Sequence, residues 1–313
     1  MPETPRLFKP PPQDSFMARI LFYLVIKPLS LLPLWVLHLI ADSIGFLLIR
    51  VVPYRKQLVK ENISNSFPDK SPAEIKAIVN GFYHHMADLI FESIKIFSIS
   101  KEEARSRCRV KNPEVLDRFF AEGKNVIVVG GHYNNWEMLA VATDMQVKHQ
   151  VVGIYSTMTN KFFNKKFAES RSKFGLQLVP KEGVKDYFKA RHPQPTATFF
   201  GADQSPHRKK KHFYWTTFLN QDTAVQFGTE KYAVEYNYPV IFAEILKPKR
   251  GYYEIVFTVL EEDPRSSPYG SITERHTKML EEEIKRQPAY YLWTHRRWKI
   301  KKTVANSTGK VVA

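Results

Sequence analysis

The stretch Asn125-Val126-Ile127-Val128-Val129-Gly130-Gly131-His132-Tyr133-Asn134-Asn135-Trp136-Glu137-Met138-Leu139-Ala140-Val141-Ala142 changes character halfway. Asn125 to Val129 is a short apolar run that ends in glycine, the pattern of a buried strand. Met138 to Ala142 begins a helix. A buried strand turning through two glycines into a helix is the repeating unit of an α/β fold. A histidine sits on that turn, and a carboxylate follows it by five residues. Five residues along an ideal helix is about 500°, so two mid-helix side chains would point roughly 140° apart. The pair meets only if His132 lies in the turn and Glu137 in the first helical turn. The carboxylate then reaches back to one imidazole nitrogen and orients a general base. The glycines permit unusual backbone angles, and the helix N-terminus offers N–H groups to a developing oxyanion. Nearby positive charge would keep the histidine neutral, and Glu137 would oppose that. The plain alternative is a histidine that caps a helix or hydrogen-bonds in the core.

The same alternation continues outward. Strands are expected at 125–129, 150–155, 176–179, 196–201, 239–246 and 252–260, and helices at 136–145, 161–174, 183–191, 223–236 and 271–287. The sum is a mixed, mostly parallel sheet flanked by helices. Strands 239–246 and 252–260 are joined by Lys247-Pro248-Lys249-Arg250-Gly251 and should pair as a hairpin. Residues 54–122 form a helical lead-in within a body that spans 54–304. Ser71-Pro72-Ala73-Glu74 has a capping serine, proline at the first helical position and an acid in the first turn. Asn112-Pro113-Glu114 starts another helix, which Gly123 stops. Residues 1–15 and 305–313 read as loose tails.

Composition narrows the function. The chain has 313 residues, 43% hydrophobic and 13% aromatic, enough for a large core. Its single cysteine, Cys108, cannot form an internal disulfide or a cysteine metal site. His84-His85 and the other histidines lack ligand spacing, so neither a metal nor a cofactor is expected. The net charge of +16 calls for an anionic partner. Arg208-Lys209-Lys210-Lys211, followed by His212-Phe213-Tyr214-Trp215, would suit single-stranded nucleic acid or a membrane interface equally. Residues 16–53 are strongly apolar but interrupted by Lys27, Pro28, Pro33 and Asp42, with no 18-residue clean run. A span, a broken hairpin, an interfacial helix and a buried helical pair all remain open. Arg6, Lys9 and Arg19 precede the segment and Arg50, Arg55, Lys56 and Lys60 follow it. That favours a body on the cytoplasmic side.

The motifs, taken in order, resemble the lipid A biosynthesis acyltransferases, the late or secondary acyltransferases of Gram-negative bacteria. Gly131-His132-Tyr133-Asn134-Asn135-Trp136-Glu137 is similar to the family's histidine, four residues, acid signature. Lys60-Glu61-Asn62-Ile63-Ser64-Asn65-Ser66-Phe67-Pro68 resembles its Asn…Phe-Pro segment. Asn160-Lys161 with Arg171-Ser172-Lys173-Phe174-Gly175 resembles its arginine-bearing block. Ala202-Asp203-Gln204 resembles its Asp-Gln block, Phe218 to Gly228 the segment after it, and Tyr291-Leu292-Trp293-Thr294-His295-Arg296-Arg297-Trp298 its ending. The likeness runs from about residue 20 to residue 300.

The resemblance implies a glycerol-phosphate-acyltransferase-like fold with an N-terminal membrane-associated segment. It implies transfer of a fatty acyl group from acyl carrier protein to a hydroxyl of a phosphorylated glycolipid, a lipid A precursor. The place would be the cytoplasmic face of the bacterial inner membrane. His132 and Glu137 would then be catalytic, and Asn160, Arg171, Asp203 and Gln204 would bind substrate. The absence of a Pro-Glu-Gly-Thr-Arg-like block speaks against a glycerol-phosphate acceptor. Another lysolipid or glycolipid acceptor is the nearer alternative. A membrane-associated nucleic-acid-binding protein is the distant one; nucleic acid is not an expected partner, because it leaves the His132 turn unexplained.

Overall fold

Val126, Ile127, Val128 and Val129 are all inaccessible to solvent, and their side chains alternate between two cores. Ile127 and Val129 join one with Val59, Ile63, Phe82, Tyr83 and Trp293. Val126 and Val128 join the other with Ile96, Met138 and Ile255. A strand apolar on both faces belongs in the middle of a helix-covered sheet. Each such side chain contributes about 1.5–3 kcal/mol by leaving water. The computed structural model describes residues 16–51, 54–207 and 213–302. The tails 1–15 and 305–313 lie outside the described residues, with Arg6 and Lys9, as does the basic run Arg208–Lys211.

This strand, β2 (Val126–Gly130), lies centrally in a seven-stranded sheet. The others are β1 (Cys108–Val110), β3 (Gln150–Tyr155), β4 (Gln177–Pro180), β5 (Thr196–Gly201), β8 (Val240–Lys249) and β9 (Tyr252–Glu261). The order is β1-β9-β8-β2-β5-β3-β4. All neighbours are parallel except the β8–β9 hairpin, as expected. The fold class read from the sequence holds: a mixed, mostly parallel sheet flanked by helices.

Two short pairings were not legible. β1 has three residues and finds its partner β9 about 145 positions away, so no local periodicity marks it. The helix expected at 223–236 begins only at Gly228. Residues before it form β7 (Gln221–Gln226), which pairs with β6 (Phe213–Phe218). The two-residue turn Leu219-Asn220 has φ of 51° and 60°, the geometry of a tight hairpin. β-branched Thr223 and Val225 serve that ladder better than a helix.

Two helices precede the body. α1 (Phe16–Leu31) and α2 (Leu34–Arg50) meet at an angle of 119° across Leu32-Pro33. Among the described residues no single helix is long and apolar enough to cross a membrane, though this bent pair passes the test together. Its polar groups turn to the body. Lys27 donates to the Phe97 carbonyl, His38 bonds Glu92, and Asp42 pairs with Arg250. Its outer face exposes Phe16, Leu21, Leu24, Leu31, Trp35, Leu39, Phe46 and Leu47. The helical lead-in follows as α3 (Lys56–Ser66), α4 (Pro72–Lys95), α5 (Lys101–Arg107) and α6 (Glu114–Ala121). Ser71 and Glu74 close a reciprocal capping box on α4.

Candidate active site

The register of the sheet builds the site. Gly130 ends β2 directly opposite Gly201, which ends β5. His132 and Asp203 each stand two residues beyond these partners and so come out side by side. They occupy the carboxyl edge of parallel strands, where α/β folds hold ligands. His132 Nδ1 lies 2.7 Å from Asp203 Oδ1. Gly201 leaves room for the ring, since a Cβ there would sit 2.9 Å from His132 Cε1. Trp136 meets the imidazole edge-on with centroids 5.1 Å apart.

The turn itself is locked. Asn134 holds φ of 51°, a left-handed angle that asparagine tolerates. Its side chain donates to the Ile245 carbonyl at 2.6 Å. Asn135 accepts from the Met138 amide and donates to Glu92, a carboxylate with no exposed surface. Glu92 also accepts from Tyr253. One first-turn N–H expected to face a substrate oxyanion is therefore spent on this cap.

Electrostatics favour a charged partnership. Burial pulls the His132 pKa down, but the charge and hydrogen bond of Asp203 outweigh it, and the net shift is upward. Burial raises Asp203, but the imidazole, the His132 backbone and Arg297 hold it below the usual carboxylate range. The expectation that neighbouring cations keep His132 neutral is thus reversed: the nearest carboxylate wins. In the neutral ring the Nδ1–H donates to Asp203. Nε2 then has its lone pair available, and the Gln204 amide nitrogen stands 3.2 Å from it.

Glu137 lies in the first turn of α7 (Trp136–Ala142), as the spacing demands. Its hydrogen bonds nevertheless go to Arg171, not to the imidazole. Arg171 Nε and Nη2 donate to the two carboxylate oxygens at 2.7 and 2.5 Å. The expected His132–Glu137 hydrogen bond is replaced by two separate pairs. A planar guanidinium matches both oxygens at once, which an imidazole cannot do. Glu137 remains near enough for its charge to lift the His132 pKa, less than Asp203 does. Arg171 comes from α8 (Lys161–Ser172). Asn160 caps that helix through the Phe163 amide at 3.0 Å, so its oxygen is engaged in structure rather than facing the histidine.

His132, Glu137, Arg171 and Gln204 line one cavity of about 310 Å³. Its remaining wall is mostly apolar: Leu139, Val151, Ile154, Leu176, Leu178 and Ile245. A base and a guanidinium beside a greasy slot suit transfer of an acyl chain. The model of the bacterial lipid A biosynthesis acyltransferase family matches residues 14–300. The chain belongs to that family. No curated protein matches it.

Membership makes this an O-acyltransferase of lipid A biosynthesis, and clarifies the other family-like blocks. Asn62, from the Asn…Phe-Pro segment, donates to the carbonyls of Trp293 and His295. His295 in turn accepts from the Ser205 amide at 3.0 Å. Burial holds His295 down to about 4, so it is neutral and can accept. Arg297, which stands beside Arg296 in the family-like ending, is 3% exposed and donates to the Ala224 carbonyl. It serves as a positive backing to Asp203, while Arg296 is exposed. No local signal separates the two arginines, because the ending is a run of turns without a regular alternation of burial.

Proposed function

We propose that this acyltransferase moves a fatty acyl group from an acyl carrier protein thioester to a hydroxyl of a lipid A precursor, with His132 as general base and Asp203 as its orienting partner. The observation that carries the reading is the 2.7 Å His132–Asp203 contact inside a cavity with apolar walls. The acceptor hydroxyl takes the place of the Gln204 amide at Nε2. Its proton passes to Nε2 as its oxygen attacks the thioester carbonyl. The tetrahedral intermediate collapses, the carbon–sulfur bond breaks, and the imidazolium returns its proton to the departing thiolate. An ester and a free carrier thiol result.

Asp203 steadies the imidazolium. Arg171, clamped by Glu137, keeps Nη1 free of hydrogen bonds among the described residues and supplies positive charge toward the developing oxyanion. No acyl-enzyme on sulfur is involved. Cys108 is fully buried, and burial pushes its thiol pKa up. The outer apolar face of α1 and α2 lies in the cytoplasmic leaflet of the inner membrane. Its inward polar groups and outward Phe16, Leu24, Trp35 and Phe46 support that placement.

The test is acylation of a purified lipid A precursor with a panel of acyl carrier protein thioesters, read by mass. A gain of one acyl chain is expected, and it should vanish in His132→Ala. Transfer from coenzyme A thioesters but from no carrier protein would overturn the donor. Unchanged lipid A in a deletion strain would overturn the acceptor.

A further inference from the structure

A second cavity, about 660 Å³, shares no lining residue with the His132 cavity. It is a trough between α3 and α4. Lys56, Lys60 and Ser64 recur every four residues along one face of α3. Ile75, Lys76, Val79 and Asn80 line it from α4 at helical spacing, and Phe67 and Lys70 from the turn between them. Among the described residues no acidic side chain lines it. Lys56 donates to the Ile49 carbonyl and Lys70 pairs with Glu74. Lys60 and Lys76 are exposed and form no ion pair among the described residues. Ile49, also in the wall, continues α2 directly beyond its exposed Phe46 and Leu47.

A cavity with an apolar floor and four ammonium groups fits one ligand chemistry, a phosphate joined to a hydrocarbon chain. A free phosphate would leave the half-buried Ile49 and Phe67 uncovered, and a neutral lipid would leave Lys60 and Lys76 unanswered. The cavity also begins where the apolar outer face of the arm ends. We propose that this trough is a binding site for an anionic glycerophospholipid of the bilayer, separate from the acyl-transfer cavity. The source is the bilayer because Ile49 makes the trough continuous with the arm's exposed apolar face. The proposal leans on the membrane placement of that arm, but its test reads binding in solution. Either can therefore fail without the other.

The probe is dihexanoylphosphatidylglycerol below its micelle concentration, titrated into the full chain by calorimetry. Saturable binding is expected, at least about tenfold tighter than dihexanoylphosphatidylcholine, glycerol 3-phosphate or inorganic phosphate. Lys60→Glu with Lys76→Glu should weaken it about tenfold or more, given what each lysine contributes near an anionic lipid. Lys185→Glu with Lys189→Glu makes the same charge change on the helix Val184–Lys189, outside the trough, and should leave affinity within about twofold. Ser64→Trp fills the trough without changing charge and should abolish binding, while acyl transfer to a detergent-dispersed acceptor persists. Equal losses in both lysine pairs would overturn the proposal, because charge alone would then explain them. Phosphate competing as well as the lipid would overturn it too. So would loss of carrier protein binding, with phosphatidylglycerol binding intact, in the Lys60 and Lys76 variant.

Discussion

Two carboxylates stand near His132, and they differ in what brought them there. Glu137 is five residues away in sequence, and Asp203 is 71. The nearer one binds Arg171, and the farther one binds the imidazole. Asp203 is delivered by β2 and β5, two hydrogen-bonded strands in fixed register, so its position relative to His132 is rigid. Glu137 is delivered by a helix start, whose side chain can swing toward whichever cation lies above it. Sequence distance thus misleads when a parallel sheet places two loops side by side. The pair built on the sheet orients the base, and the pair built on helices clamps a guanidinium.

Removing the base should have the largest effect. His132→Ala should lower kcat by about 10³–10⁴-fold, since a positioned base supplies 10²–10⁴-fold. Steady-state acylation measures it, and a variant retaining a tenth of the activity would remove His132 from the mechanism.

Asp203→Asn separates the two carboxylates next, with an expected loss of about 10²–10³-fold in kcat. It should also move the pH profile. The base works as neutral imidazole, so rate rises with pH through the His132 pKa. Asp203 raises that pKa above the ordinary 6.5, so the acid limb of the native enzyme lies above that of a free histidine. Without the charge, burial dominates and the limb moves to lower pH. An unmoved limb would mean that Asp203 does not act through the ring.

Glu137→Gln should cost less, about tenfold in kcat/KM, with a smaller limb shift in the same direction. Folding stability should fall by about 1–3 kcal/mol, because Arg171 loses its charged partner. Only 23% of the Arg171 side chain and 11% of Glu137 face solvent, so water restores little. Arg171→Lys should not rescue function, since an ammonium cannot bridge both oxygens. If Glu137→Gln instead matched Asp203→Asn in rate and pH shift, the imidazole would exchange partners during turnover.

Gly201→Ala is the mildest probe. The new Cβ, 2.9 Å from His132 Cε1, should push the ring off its rotamer at about 0.5–1.5 kcal/mol, roughly two- to tenfold in kcat. Binding of the acceptor should hardly change, which a separate KM would show.

The sequence alone determined six of the seven strands of the main sheet and most of the helices around the site. β2 reads as a buried strand because four consecutive apolar residues need cover on both faces, and His132 stands out because glycines precede it. The strand expected at 196–201 is β5, and Asp203 and Gln204 follow just past its carboxyl end. What the sequence could not decide was partnership. Local spacing pairs His132 with Glu137, and nothing in it encodes that Gly130 faces Gly201 across the sheet. Nothing along the sequence tells Arg297 from Arg296, because its burial behind Asp203 depends on a C-terminal segment folding back over α3. Which carboxylate orients the base, which arginine is clamped and which is buried are set by strand register and helix packing. Those are long-range contacts, and periodicity along the chain carries no record of them.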